Sequence, residues 1–168
     1  CPFAETAVGT AGGMTDAAEE AVAGLNVSRE TFAKLREFEA LVRRWNSAIN
    51  LVSKATLADL WSRHIVDSAQ VFSLYPPKAQ SWVDLGSGGG FPGLVVAILA
   101  QEMKPDLRVT LVESDLRKAT FLRQASQALG VPVTVRTERI ESLAPQNADV
   151  LSARALASLA DLLGFAER

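Results

Sequence analysis

The sequence predicts an α/β fold, a doubly wound parallel sheet behind a small N-terminal helical annex, and three observations carry that expectation. Short β-branched runs alternate with helical patterns over the second half of the chain, the arrangement that makes strands parallel and sends a helix back between each pair. One stretch, WVDLGSGGGFPGLVVAIL at residues 82–99, sets five glycines and a proline between two apolar runs, as a strand does when it ends in a turn that opens a helix. Finally, 168 residues at 48% hydrophobic can bury a single core of ordinary size with a small annex beside it.

Taken in chain order, residues 1–28 contain Glu5, Asp16, Glu19 and Glu20, no Lys or Arg, and much Ala, Gly and Thr. Most of this stretch is expected to be a flexible tail. The annex is expected over residues 29–77. Ser28 stands as a helix cap ahead of Phe32, Leu35, Phe38, Leu41, Val42, Trp45 and Ile49, which recur at threes and fours. A second helix is expected from Thr56, with Asp59 three residues on as a capping box; it buries Leu57, Leu60, Trp61, His64, Ile65, Val71 and Phe72, and Pro76 and Pro77 end it. Residues 78–168 then read as strand 81–85, helix 92–102, strand 108–113, helix 115–129, strand 132–137, a turn near 139–143, strand 148–152 and a last helix from about 157.

Composition narrows the function classes. Cys1 has no partner, so neither a disulfide framework nor a cysteine zinc site can form, and a reducing, cytoplasmic setting is expected. The longest apolar run, Leu94–Ala100, falls far short of the roughly 20 residues a membrane span needs. A net charge of −2 excludes a chain coated in basic residues and leaves room for local patches. Residues 29–63 supply one, with Arg29, Lys34, Arg36, Arg43, Arg44, Lys54 and Arg63 against Glu30, Glu37, Glu39 and Asp59.

The glycine-rich turn lies at the carboxyl end of the first strand, where doubly wound sheets bind ligands and where a missing Cβ lets a ligand approach backbone. A dinucleotide fingerprint G-x-G-x-x-G opened by Gly86 and Gly88 would need its third glycine at position 91, which is Phe91. A nicotinamide-dependent dehydrogenase is thereby disfavoured. Glu113 closes the second strand, where a carboxylate can accept both ribose hydroxyls, so an adenosine is expected in the ligand. S-adenosylmethionine fits, since it has no phosphate for the loop to cradle. Asp84, two residues before Gly86, either complements the cofactor's positive charge or caps loop amides.

Five segments in this order and spacing, LVRRWNSAINLVS, LWSRHIVDS, WVDLGSGGGFPGL, TLVESDLRKATFLRQ and VLSARALASL, resemble the glucose-inhibited division protein B family, the bacterial 16S rRNA guanine-N7 methyltransferases, from about residue 35 to the end. GSGGGFPG followed by ES..RK..FLR is far more specific than a glycine motif alone. The resemblance implies a Rossmann-like class I methyltransferase fold, S-adenosylmethionine as cofactor and 16S rRNA near the decoding site as substrate, within a 30S particle or its precursor. A monomer is expected. Family members continue into further strands, which are expected to be absent here, leaving the methyltransferase domain incomplete at its C-terminus. On matching positions, Gly86, Gly88 and Phe91 lie against the cofactor, Glu113 takes the ribose, Ile140 and Glu141 border the adenine, and Arg154 is a further cofactor-site position. A guanidinium there can meet a carboxylate or phosphate as a bidentate fork.

The reaction class follows partly from what is missing. Methylation of a pyrimidine carbon usually needs a cysteine nucleophile, and that of an exocyclic amine an Asn/Asp-Pro-Pro-aromatic run; Cys1 lies in the tail and residues 152–156 read SARAL. Guanine N7 carries a free lone pair, so its methylation needs alignment and no general base, and none is nominated. No metal is expected. His64, a lone histidine on an apolar helix face, is more often a satisfied buried residue than a catalyst, but RHIVDS matches a family signature and gives it a substrate-side candidacy. Arg36, Arg43, Arg44, Arg117, Lys118 and Arg123 are the phosphate-contact candidates; singly, each reads more simply as a solvated helix residue. A cofactor-binding RNA module without turnover remains the competing reading.

Overall fold

The computed structural model describes residues 21–154 and 163–164. Four strands, β3 (Ser81–Leu85), β4 (Arg108–Val112), β5 (Thr134–Arg136) and β6 (Val150–Ala153), form a wholly parallel sheet in the order β5-β4-β3-β6. The chain steps outward from β3 to β4 to β5, then crosses back to place β6 on the other side of β3. That reversal opens a crevice at the carboxyl ends of β3 and β6, the position where such sheets take ligands.

Strand alternation divides the core in two. Trp82, Val109 and Leu111 face one side, where α4 (Gly93–Met103) and α5 (Leu116–Leu129) pack. Every residue from Gly93 to Ala100 is buried, as expected of a helix covered all round. Its outer cover is the annex helix α1 (Arg29–Asn46), which buries Leu35 and Phe38 in the same core cluster as Leu94 and Leu122 and brings Trp45 to 5.7 Å from Phe121, ring to ring. Annex and sheet thus share one hydrophobic core. Val83, Leu85 and Val112 face the other side, where Leu143 and the segment around Ile140 cover them. Apart from residues 163–164, which are helical, the helix expected from about residue 157 lies outside the described residues, as do residues 1–20 of the expected tail.

Two expectations about the annex are corrected. Residues 21–28 do not continue the tail: β1 (Ala21–Val22) and β2 (Leu25–Asn26) pair antiparallel across Ala23 and Gly24, both at positive φ, and bury Val22 and Val27. The second annex helix starts earlier than Thr56. Ser53 is its cap, accepting from the Thr56 amide at 3.3 Å, because its hydroxyl sits ahead of α2 (Lys54–Leu57) in extended backbone. The helix is also not continuous. After α2 comes a π-helical stretch, Trp61–Val66, before α3 (Asp67–Phe72). The wider turn buries His64 and Ile65 together with Leu60, Ala69 and Phe72.

Polar brackets set the register. Ser28 caps α1 through Thr31 N, and its own amide donates to both Glu102 carboxylate oxygens at 3.0 and 3.1 Å, pinning α1 to the end of α4. Hydrogen bonds from the Thr31 and Ser28 side chains and the Ser28 amide hold the Glu102 carboxyl below its usual range against a smaller opposing effect of burial. At the other end of α1, buried Asn46 accepts from the amides of Leu51 and Val52, both at 2.9 Å, and folds the next loop inward. Asp149 accepts from the amides of Gln80 and Ser81, which aligns β6 with β3.

Candidate functional site

A cleft of about 530 Å³ opens at the carboxyl ends of β3, β4 and β6. Its floor is the loop 86–91. Gly86 and Gly88 take φ of +67° and +53°, a backbone region that costs other residues strain, and both line the cleft. Three further glycines are held by close packing, Gly89 in the lining itself and Gly90 and Gly93 behind it. A Cβ on Gly89 would sit 3.0 Å from Leu51 O, one on Gly90 3.0 Å from Phe38 Cζ, and one on Gly93 2.6 Å from Asp84 Oδ2.

Glu113 stands just past β4, buried yet lining the cleft. Its Oε2 accepts from the Gly88 amide and its Oε1 from the Asp115 amide, each at 2.8 Å, so the carboxylate ties the glycine loop to the start of α5. Each oxygen retains acceptor capacity for a ligand hydroxyl. Ile140 and Glu141, in a short 3₁₀ turn after β5, form the rim nearby. Glu141 is exposed, and its carboxyl is held below the usual range first by its own backbone amide and then by Arg139.

Of the two roles open to Asp84, the structure shows the capping one, and the side chain is not among those that line the cleft. It is buried beneath the loop, accepting from Gly93 N at 3.2 Å and from Ser152 Oγ at 2.6 Å. Burial pushes its carboxyl up to about 6 against the opposing pull of those hydrogen bonds. The side chain therefore does what its loop-capping alternative required, joining β3, β6 and the first turn of α4.

Across the crevice, Phe91 is sandwiched between Phe38, 5.1 Å away, and the His64 ring, 5.0 Å away. His64 and Arg154 both line the cleft. Arg154 Nη1 donates to His64 Nδ1 at 2.9 Å and Nη2 to Arg63 O at 3.2 Å, with Asp67 Oδ2 at 3.9 Å. A guanidinium has no acceptor, so His64 Nδ1 carries the lone pair and Nε2 carries the proton, which it gives to Thr56 Oγ1 at 3.0 Å. Burial and the Arg154 charge lower the His64 pKa, in keeping with that neutral tautomer.

The basic candidates divide. Arg36 pairs with Glu39 at 3.1 Å and lies 3.9 Å from the Trp61 ring centre. Arg43 is spent on Glu39 at 2.8 Å and Leu57 O at 2.6 Å. Arg123 binds Val135 O and Thr137 Oγ1. Arg44 and Arg117 are exposed, with no side-chain hydrogen bond or ion pair among the described residues, and Lys118 lines the cleft. Sequence reasoning missed Leu51, Val52, Glu138 and Arg139 as lining residues. The last two follow a strand end and were findable on that ground; the first two reach the cleft only through the Asn46 loop.

The family model described as rRNA small subunit methyltransferase G matches residues 31–168. Over 144 residues the chain is 58% identical to the ribosomal RNA small subunit methyltransferase G of Ruegeria sp. and 61% identical to that of Ruegeria pomeroyi, each alignment covering 86% of this chain and 70% of the relative. With the protein of the same name from Cereibacter sphaeroides it shares 54% over 153 residues, 91% of this chain and 74% of the relative.

Proposed function

Because the chain belongs to the rRNA small subunit methyltransferase G family, and is by that membership an rRNA methyltransferase, we propose that it transfers a methyl group from S-adenosylmethionine to guanine N7 of 16S rRNA near the decoding site. The observation that carries the cofactor reading is Glu113: a buried carboxylate at a strand end, bound to a glycine amide and open to the cleft. The remaining lining supports it. Glu113 would hold the ribose hydroxyls, Ile140 would lie against the adenine, and the bare backbone of Gly86 and Gly88 would admit the methionyl chain; a Cβ on Gly88 would meet only Gly86 O, at 3.7 Å. When bound, the cofactor supplies an electrophilic methyl on a sulfonium centre.

The residues of this chain then bind, orient and exclude water. Guanine N7 is nucleophilic as the neutral base, so no proton has to leave before transfer and proximity with alignment carries the rate. His64 has both ring nitrogens engaged, with Thr56 and Arg154. Lys118, Arg44 and Arg117 are the cations whose side chains stand ready for phosphate, a positioning role that carries no base specificity. No described helix is long and apolar enough to cross a membrane. The proposal further takes the chain to act in the cytoplasm, as a monomer, on the 30S particle or its precursor.

The test is transfer of labelled methyl from S-adenosylmethionine to 30S particles and to free 16S rRNA, with N7 read by borohydride reduction and aniline cleavage. Cleavage at one guanine supports the reading. Cofactor binding without transfer to either substrate would instead favour an RNA-binding module that does not turn over.

A further inference from the structure

Neutral His64 is an unusual neighbour for a guanidinium, and nothing in the proposed reaction uses it. Its ring is fixed on three sides: Nδ1 accepts from Arg154 Nη1 at 2.9 Å, Nε2 donates to Thr56 Oγ1 at 3.0 Å, and one face packs on Phe91 at 5.0 Å. Thr56 in turn can donate to Ser53 O at 3.2 Å, which leaves its oxygen open to accept from His64 Nε2. His64 sits in the π-helical stretch, a backbone form often found where a side chain is re-aimed at a site. Arg154 has five N–H groups. His64 and Arg63 O occupy two, which leaves donors free to turn toward the cleft it lines.

We propose that His64 is the positioning residue of the cleft: its Nδ1 lone pair holds the Arg154 guanidinium in the orientation that meets bound S-adenosylmethionine, and only the neutral imidazole can do so. This rests on the methyltransferase reading for the identity of the cofactor. An imidazolium would turn an N–H toward the guanidinium, replacing an acceptor by a second cation, and the contact would break. The charged groups facing the ring are Arg154 from the end of β6, Arg63 from its own π-helical stretch and Asp67 from the start of α3; α2 contributes uncharged Thr56, and the glycine loop contributes apolar Phe91. Arg154 and Arg63 oppose protonation and Asp67 favours it, with burial adding to the former. Loss of the grip therefore falls below pH 6.5, the ordinary histidine value.

The chain has one histidine, so its ring nitrogens can be followed by NMR without assignment. The wild type should show the Nε2-protonated tautomer and a depressed pKa, and Arg154→Met should raise that pKa. S-adenosylmethionine affinity, read by calorimetry, should fall as pH drops through the titration in the wild type and stay level in His64→Asn, whose Oδ1 supplies an acceptor near Nδ1 that does not titrate. At pH 7.5, His64→Phe and Arg154→Met should each lose about tenfold in affinity, the scale of a charge-assisted hydrogen bond, and the double variant no more than the worse single. Melting temperatures of all variants separate this from unfolding, and His64→Asn keeps the proposal testable where His64→Phe does not fold. Additive losses, an unmoved His64 pKa in Arg154→Met, or identical pH profiles for wild type and His64→Asn would overturn the proposal with the methyltransferase reading intact. A wild type with the expected His64 titration and no cofactor binding would overturn the methyltransferase reading, and the cofactor half of this proposal with it.

Discussion

The Gly93 amide donates to Asp84 Oδ2 at 3.2 Å, and a Cβ on Gly93 would lie 2.6 Å from that same oxygen. Gly93, the first residue of α4, is thus a glycine because of a strand carboxylate, which closes on the first turn of that helix and leaves the loop in front of it free to line the cleft. Gly93→Ala should destabilise the protein by about 1–3 kcal/mol, the cost of overpacking, because the obstacle is a fixed carboxylate with Leu111 beside it. Thermal denaturation checks this, and a melting temperature unchanged from wild type would contradict the packing described.

Asp84 also makes stability depend on pH in a direction opposite to that of most carboxylates. Its native pKa stands near 6 against an ordinary 3.8, so between those values the folded state binds more protons than the unfolded one. Its contribution is therefore complete below about pH 3.8 and is lost as pH rises to about 6. Asp84→Asn, which keeps an acceptor for Gly93, should remove that slope. Denaturant melts at pH 4, 5, 6 and 7 would show it as a difference between the two curves that grows with pH and levels off.

Glu113→Ala should weaken S-adenosylmethionine binding by about 1–3 kcal/mol, roughly ten- to a hundredfold in Kd. It should also loosen the loop, since Gly88 and Asp115 lose the acceptor of their amides. Calorimetry with the cofactor and, separately, with NAD distinguishes a ribose-binding role from general damage; equal affinity for the cofactor in wild type and variant would remove Glu113 from the site.

Among the basic residues the geometry predicts two separate outcomes. Arg44→Glu and Arg117→Glu should lower affinity for 16S rRNA and each reduce the salt slope of binding by about one, with the melting temperature kept. Arg43→Ala should act on stability instead, by about 1 kcal/mol, because Glu39 is buried and half its ion pairing goes with Arg43. Filter binding over a salt series, run beside thermal melts, tells the two classes apart.

Much of the fold was legible locally. The α1 cap at Ser28, the start of α5 and the first two parallel strands follow from hydrophobic period and capping chemistry, which act within a few residues. The hairpin of β1 and β2 escaped notice because two strands of two residues each carry no period, and because only burial of Val22 and Val27 on a distant core makes them worthwhile. The π-helical stretch was invisible for a related reason: WSRHIV carries no signal for a wider turn, and the turn forms where Leu60, His64 and Ile65 must all be accommodated at once.

By itself the sequence determined the parallel order of elements, the glycine turn at a strand end, Glu113 beside it and the family the segments resemble. All of these are readable because strand, turn and cap preferences are local. Tertiary structure alone decided which polar residues face the cleft. It turned Asp84 inward to Gly93 and Ser152, spent Arg36, Arg43 and Arg123 on intramolecular partners, and brought His64 to Arg154 across 90 residues of chain. Hydrogen bonds and desolvation act between groups that only folding brings within about 3 Å, and no spacing along the chain encodes that distance.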